Sequence, residues 1–238
     1  MNVARILVNN FKNRLGRIKS VFIGKHFVLT QSSNWGLSSH LKGNCKKSGN
    51  ICKILHDVKE DDLYSYALSD DTLKVSLFLS WLNANLNIDK KDYEDINAFN
   101  IIKEKGKGKN VVIIGHFPLP ENFARDFKDF HIIEKKPIKG DILFEDSQSF
   151  IEEADVLGIT ATTILNHTLG KILSWKKHSS FTILMGFSTP LWEGLFDMGI
   201  DVLCGSLVVN SEDVLDALKK GLPYKKTKGI RKVALFKK

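Results

Sequence analysis

Three side chains that can ligate a metal ion follow two hydrophobic runs in the second half of the chain. His116 comes directly after the run VVIIG, Glu134 ends the run FHIIE, and Asp141 closes the segment that follows. Imidazole and carboxylate groups both suit divalent metal ions. The sequence therefore predicts a divalent metal site formed by His116, Glu134 and Asp141, without identifying the metal. The alternative for His116 is packing against Phe117 with a bond to a backbone carbonyl.

The turn after the first of these runs lacks the glycine pattern of a dinucleotide site. Such a site needs G-x-G-x-x-G so that the backbone can approach a pyrophosphate, whereas residues 115–120 read GHFPLP. Gly115 alone allows a close approach of a ligand. Glu134 nevertheless lies where an acid holds ribose hydroxyls in nucleotide-binding sheets. Alternatively, Glu134 is a surface residue beside Lys135 and Lys136 without a ligand role, and this explains its presence equally well.

Hydroxyl and amide groups cluster after a third hydrophobic run, ADVLGIT. They belong to Thr160, Thr162, Thr163 and Asn166. Free N–H groups at the start of a helix favour anions, so we expect these side chains to hold an anionic ligand. Helix capping alone accounts for one of the threonines but not for the whole cluster.

The fourth run, FTILMGF, ends in a turn with further polar groups. Gly186, Ser188 and Thr189 are predicted to contact the ligand there. Ser188 is a weak candidate for a nucleophile, because the G-x-S-x-G elbow requires glycine where Pro190 stands. Its predicted role is that of a hydrogen-bonding group or a helix cap.

A second set of potential metal ligands lies in the first half of the chain. Cys45, Cys52 and His56 have the spacing C-x6-C-x3-H, which matches no familiar zinc pattern. We therefore interpret these cysteines as loop or core residues. An odd number of cysteines fits a reducing compartment, and the first 15 residues do not resemble a signal peptide. The sequence thus predicts a cytoplasmic protein, with no apolar run near the roughly 18 residues that a membrane span needs.

The formal charge of +8 is concentrated at the C-terminal end. Residues 219–238 contain nine Lys or Arg and no acid. A basic segment can bind nucleic acid or an acidic partner, but this one lacks interleaved aromatic residues. The pattern therefore favours a solvated surface over a nucleic-acid interface.

The elements that position these residues follow from the alternation of hydrophobic runs and helical patterns. Continuous apolar runs are typical of parallel strands buried on both faces, and their alternation with helices predicts a doubly wound α/β sheet. Ligands bind at the carboxyl ends of such strands. KVALF is a candidate edge strand. The helices expected between the strands are 120–127, 147–153, 163–175, 191–198 and 211–220.

The first region has the pattern of a smaller α+β unit. A helix over 3–15, a hairpin of 21–24 and 26–31, a polar loop over 32–50, and helices over 63–68 and 72–86 are expected. The polar segment 87–95 predicts a boundary between domains 1–90 and 91–238.

Four motifs of the second region, in this order, resemble a known family. They are IIGHFP, E-x-x-P-x-x-GD at 134–141, ADVLGITATTILNHTL and MGFSTPLWEGLFDMGIDVLCGSLV. Together they are similar to the heavy-metal-chelation family, domain of unknown function 364, over residues 97–221. The first region, with VFIGKHFVLTQSSNWGLSSHLKG, resembles the companion domain of that family, which is similar to the N-terminal domain of enolase. The resemblance implies a Rossmann-like domain, a binding cleft between the two domains and metal chelation as the activity.

Three functions are consistent with these patterns. The first is binding of a small anionic or metal-chelating ligand, with a divalent metal ion, in the interdomain cleft. The second is an enzyme that uses a nucleotide-like cofactor such as S-adenosylmethionine, for which adenosine compounds would raise the melting temperature where metals would not. The third is a nonenzymatic protein that binds a partner through residues 225–238. The sequence decides neither whether the protein turns over a substrate nor whether it forms a homodimer.

Overall fold

A computed structural model describes residues 1–41, 51–55, 58–86, 92–223 and 226–238, with the backbone alone for 51–55. The helices are α1 Val3–Phe11, α2 Glu60–Tyr66, α3 Thr72–Asn83, α4 Ala98–Gly106, α5 Gln148–Glu153, α6 Thr162–Leu165, α7 Leu169–Trp175 and α8 Ser211–Lys219. The strands are β1 Ser20–Gly24, β2 Phe27–Gln31, β3 Trp35–Ser39, β4 Ile51–Leu55, β5 Asn110–Ile114, β6 Asp129–Glu134, β7 Ile142–Leu143, β8 Val156–Thr160, β9 Phe181–Met185, β10 Val202–Val208 and β11 Ile230–Phe236. Short 3-10 helices span Phe144–Asp146 and Glu193–Met198.

The described part of the chain forms a mixed α/β fold with a larger, mainly parallel sheet. Its seven strands have the order β11-β10-β9-β8-β5-β6-β7. All neighbours pair in parallel except β10 and β11, so the predicted edge strand KVALF is confirmed and runs antiparallel. The chain moves from β5 to one side through β6 and β7 and then crosses to β8 on the other side. A topological switch point therefore lies between β5 and β8, where ligands bind in sheets of this kind.

The first region contains a separate antiparallel sheet with the order β3-β2-β1-β4. The predicted hairpin is confirmed as β1 and β2. The predicted polar loop 32–50 is wrong in its first part, because Trp35–Ser39 is strand β3. Gly36 explains how this strand packs: a Cβ atom there would lie 2.2 Å from both Ala84 N and Ser80 O, so only glycine lets the strand approach α3 this closely.

Several helix predictions were wrong in length or type. The first helix ends at Phe11 rather than at residue 15, and the backbone leaves helical geometry at Lys12, with ψ 128°. The helix predicted over 163–175 is broken into α6 and α7 at His167, which has φ 59°. Residues 120–127 form turns around Asn122, with φ 54°, instead of a helix. The helix predicted over 191–198 is the 3-10 helix Glu193–Met198.

The two sheets share a buried apolar interface. Phe27 of β2 packs against Phe187 after β9, with ring centroids 5.6 Å apart. The Asn83 side chain at the end of α3 donates to the Leu37 carbonyl at 2.8 Å and to the Phe187 carbonyl at 3.4 Å. The boundary predicted at 87–95 falls partly on 87–91, outside the described ranges, and the division into domains 1–90 and 91–238 stays a prediction.

The basic C-terminal segment is folded where the structure describes it. Arg231 of β11 donates twice to the Asp95 carboxylate, at 2.7 and 2.9 Å, and Lys238 lies 3.0 Å from Asp92. The guanidinium of Arg231 lowers the pKa of the Asp95 carboxyl. Part of the positive charge is thus paired with the segment that leads into α4. Across the described ranges, each helix is too short or too polar to cross a bilayer.

Candidate functional site

The switch point of the larger sheet brings the ends of β5 and β8 into contact. Gly115 follows β5 with φ 105°, a backbone conformation that favours glycine. A Cβ atom at this position would lie 2.8 Å from the Thr160 methyl carbon. Gly115 therefore allows the first turn to lie directly against the end of β8.

Glu134 is held against the same turn by two backbone donors. Its Oε1 accepts from the His116 N–H at 2.7 Å, and its Oε2 accepts from the Lys135 N–H at 2.9 Å. In a dinucleotide cradle the first-turn N–H groups would face a phosphate. Here a carboxylate already uses the His116 N–H, which adds a geometric reason against a phosphate at this turn.

Asp141 orients the imidazole of His116. The Asp141 side chain is only 4% exposed, whereas that of His116 is 43% exposed. Asp141 Oδ2 accepts from the Ile138 N–H at 3.1 Å and lies 3.2 Å from His116 Nδ1. A carboxylate oxygen accepts hydrogen bonds, so this contact favours the imidazole tautomer with its proton on Nδ1. His116 Nε2 then carries the lone pair that could ligate a metal ion.

The three predicted metal ligands are therefore neighbours, but they are joined by hydrogen bonds. Asp141 contacts the imidazole of His116, and Glu134 contacts its backbone N–H. In the described ranges no three His, Cys, Asp or Glu side chains are grouped so that they could hold a metal ion. Cys45 and His56 lie outside the described residues, as does the side chain of Cys52.

The polar cluster of the third turn divides into internal and accessible groups. Thr163 is 3% exposed, and its hydroxyl donates to the Thr160 carbonyl at 2.6 Å. The hydroxyls of Thr160 and Thr162 lie 3.0 Å apart on half-buried residues. Thr160 and Thr162 are thus the partly exposed threonines of this turn, while Thr163 stabilises the turn.

Asn166 has a structural contact of its own. Its Oδ1 accepts from the Thr168 N–H at 3.2 Å and from the Thr168 hydroxyl at 2.6 Å, at the start of α7. The Thr168 N–H also donates to the Thr163 carbonyl at 2.9 Å, so Asn166 shares this donor and fixes the link between α6 and α7. The predicted ligand role of Asn166 would therefore depend on its Nδ2 amide group.

We expect Asn166→Ala to lower the free energy of unfolding by about 0.5–1.5 kcal/mol, as for the net loss of a side-chain hydrogen bond. The Asn166→Asp variant keeps the acceptor and should lose less. Thermal and urea unfolding of the two variants measure the difference. Equal stability of the alanine variant and the unaltered protein would contradict this role.

The fourth turn joins the two sheets. Ser188 is fully buried, and its Oγ accepts from the Ser39 N–H at 2.9 Å and lies 3.0 Å from the Ser38 hydroxyl. Thr189 is 2% exposed. A ligand could reach Ser188 only by displacing β3. Gly186, with φ 124° and partial exposure, is the accessible member of this turn.

A cavity of about 300 Å³ lies at the same edge of the sheet, and the sequence reasoning did not predict it. Its walls come from the start of α4, the 117–120 turn, the end of β9, the middle of β10 and part of β11. The apolar residues Phe117 and Leu119 in the turn after β5 were the available signal, since a turn exposed to water has no need of them. Cys204 also lines the cavity, and burial raises the pKa of its thiol to about 12.

A known family model matches the larger part of the chain. Residues 97–237 match the model of the family described as "DUF364: Putative heavy-metal chelation". The chain belongs to the DUF364 family. None of the curated proteins compared with the chain matches it.

Two solved DUF364 structures have a similar fold over the whole length of the chain. A DUF364 protein of unknown function from Desulfitobacterium hafniense DCB-2 superposes with a TM-score of 0.79 at 20% identity, covering 99% of this chain and 98% of its own. A second, from Pyrococcus horikoshii, gives 0.73 at 18% identity and covers 100% of both chains. At these identities the likeness shows the two-sheet α/β fold of the DUF364 chain. The enolase-like character of the first region stays a prediction.

Proposed function

We propose that this DUF364 chain binds a divalent metal ion as a complex with a small anionic chelator, in a cleft between its two regions. The observation that carries the proposal is the pair formed by His116 Nδ1 and Asp141 Oδ2, 3.2 Å apart, at the carboxyl end of β5. Metal-ligating histidines commonly donate their second nitrogen to a carboxylate, which fixes the tautomer and the ring orientation. Asp141 would act on the metal through His116 rather than as a direct ligand.

The contacts of Glu134 support a chelated metal rather than a bare ion. Each of its oxygens already accepts a backbone N–H, so the protein can supply His116 and at most a remaining lone pair of Glu134. A divalent ion requires more ligands than these. A small chelator would supply them, and its anionic groups would lie against the hydroxyls of Thr160 and Thr162. His167, which follows α6 and contacts the Ser69 carbonyl at 2.9 Å, places this turn beside the first region.

Calorimetric titration with zinc–citrate, Zn²⁺ alone and citrate alone tests the proposal. We expect measurable binding of the complex and weaker binding of either component. Binding should weaken as the pH is lowered, since protons and metal compete for the same imidazole nitrogen. The Cys45→Ser/Cys52→Ser variant should bind the complex as well as the unaltered protein does. The proposal fails if neither zinc form binds, and a rise of melting temperature with S-adenosylmethionine instead would favour the cofactor-dependent enzyme.

A further inference from the structure

We infer that the 300 Å³ cavity beside α4 is a separate site that binds an uncharged, planar aromatic or heteroaromatic molecule. The volume is at the lower end of the roughly 300–1,000 Å³ range of small-molecule sites, which limits the ligand to about one or two fused rings. The cavity is not lined by His116, Glu134 or Asp141. The inference therefore does not depend on the proposed metal site.

The wall of the cavity has a buried part and a partly exposed part, and both are apolar. Met185 and Val233 belong to the buried part, at 3% and 1% exposure. The partly exposed part consists of Ile96, Phe99, Phe117 and Leu119. These four side chains keep apolar surface in contact with water around the cavity. A ligand that covers this surface gains the free energy of removing it from water.

The arrangement of the rings favours a planar aromatic ligand over an aliphatic one. Phe99 and Phe117 lie with their ring centroids 5.9 Å apart and their planes at 78°, an edge-to-face contact. Such contacts are favourable beyond the area that they bury, and a third ring in the cavity can extend them. The thioether of Met185 also interacts favourably with an aromatic partner.

The polar groups around the cavity already have partners, which favours an uncharged ligand. Asn97 caps the first turn of α4, where its Oδ1 accepts from a backbone N–H at 3.0 Å. Ser206 and Lys232 each interact with another residue, and Lys232 is exposed to water. The turn contributes Pro118 and Pro120, which have no N–H to donate. A carboxylate that entered this cavity would lose hydration without gaining a matching donor.

Calorimetric titration of the full chain with 2-naphthamide and 2-naphthoate tests the predicted preference, because the two compounds share one ring system and differ in charge. We expect the neutral amide to bind roughly tenfold more tightly, as for a charge that finds no partner in a partly exposed apolar site. Lys232→Gln should keep this preference. Tighter binding of the carboxylate, or no binding of either compound, would overturn the inference.

Two matched phenylalanine variants test the role of the ring in the wall. Phe117→Ala should weaken binding of 2-naphthamide roughly tenfold, since it removes one aromatic contact and its apolar area. Phe127 belongs to the same group of packed phenylalanines, through its contact with Phe123, but does not line the cavity. Phe127→Ala should therefore bind the amide as the unaltered protein does. Equal losses in the two variants would contradict the proposed location.

The methionines place the ligand without any substitution. The chain has three of them, and Met185 is the one that lines the cavity. In protein labelled with ¹³C at the methionine methyl groups, the ring current of bound 2-naphthamide should shift the Met185 signal and leave those of Met1 and Met198 nearly unchanged. An unshifted Met185 signal at saturating 2-naphthamide would overturn the inference.

Discussion

The His116→Ala variant is expected to lose more than 100-fold in affinity for zinc–citrate, the largest effect of any single substitution in this chain. Removing a residue that only orients a metal ligand typically costs roughly 10- to 100-fold, and His116 is proposed to be the ligand itself. Asp141→Asn should fall within that smaller range, because the amide oxygen can still accept from the Ile138 N–H but no longer places a carboxylate on the imidazole. Calorimetric titration compares the three proteins.

His131 provides a matched control for this experiment. Its Nε2 lies 2.9 Å from Asp129 Oδ2, so it forms the same kind of imidazole–carboxylate pair at the amino end of β6. His131→Ala removes a histidine of similar chemistry from the opposite edge of the sheet. Equal losses of zinc–citrate affinity in His116→Ala and His131→Ala would mean that the effect is not specific to the proposed site.

The position of the candidate site could be predicted from the sequence because it follows from topology. Parallel strands present their carboxyl ends on one edge, so VVIIG and FHIIE already place His116 and Glu134 near each other. The contacts between them could not be predicted. Glu134 reaches the backbone N–H of His116 rather than its side chain, and a sequence pattern says nothing about which atom of a residue is used.

Contacts between distant segments could not be predicted from the sequence for a related reason. Ser38 and Ser188 are 150 positions apart and form a buried pair. The segment WGLSS has the composition of a loop, and its strand is stabilised by the close approach of α3 at Gly36 and by Ser188. Tertiary packing here overrides local propensity. The same packing buries Ser188, which the sequence alone suggested as a ligand contact.

A chain that begins at Asp92 tests the predicted domain division, and we expect it to fold but to be much less stable than the full chain. In the full protein Phe187, Val208, Val214 and Leu218 pack with apolar residues of β2 and β3 in one cluster. Exposing a large apolar side chain costs roughly 1.5–3 kcal/mol, so partial exposure of these four residues removes a large share, but not all, of the 5–15 kcal/mol that stabilises a typical domain. Circular dichroism should show an α/β spectrum with a cooperative transition at a lower temperature. Absence of a cooperative transition would show one inseparable unit.

The stability loss caused by a single substitution also distinguishes two separable domains from one inseparable unit. In the full chain, Phe187→Gln puts an amide into the apolar contact with Phe27 and should cost about 3 kcal/mol or more. In the chain that begins at Asp92 the contact with Phe27 is lost and this side chain is more exposed, so Phe187→Gln should lower the melting temperature much less and reduce binding of an apolar dye. Urea unfolding and dye fluorescence of the four proteins measure both effects. If Phe187→Gln destabilises the short chain as much as the full one, Phe187 belongs to the core of the second region. Its contact with β2 then does not couple the first region to the second.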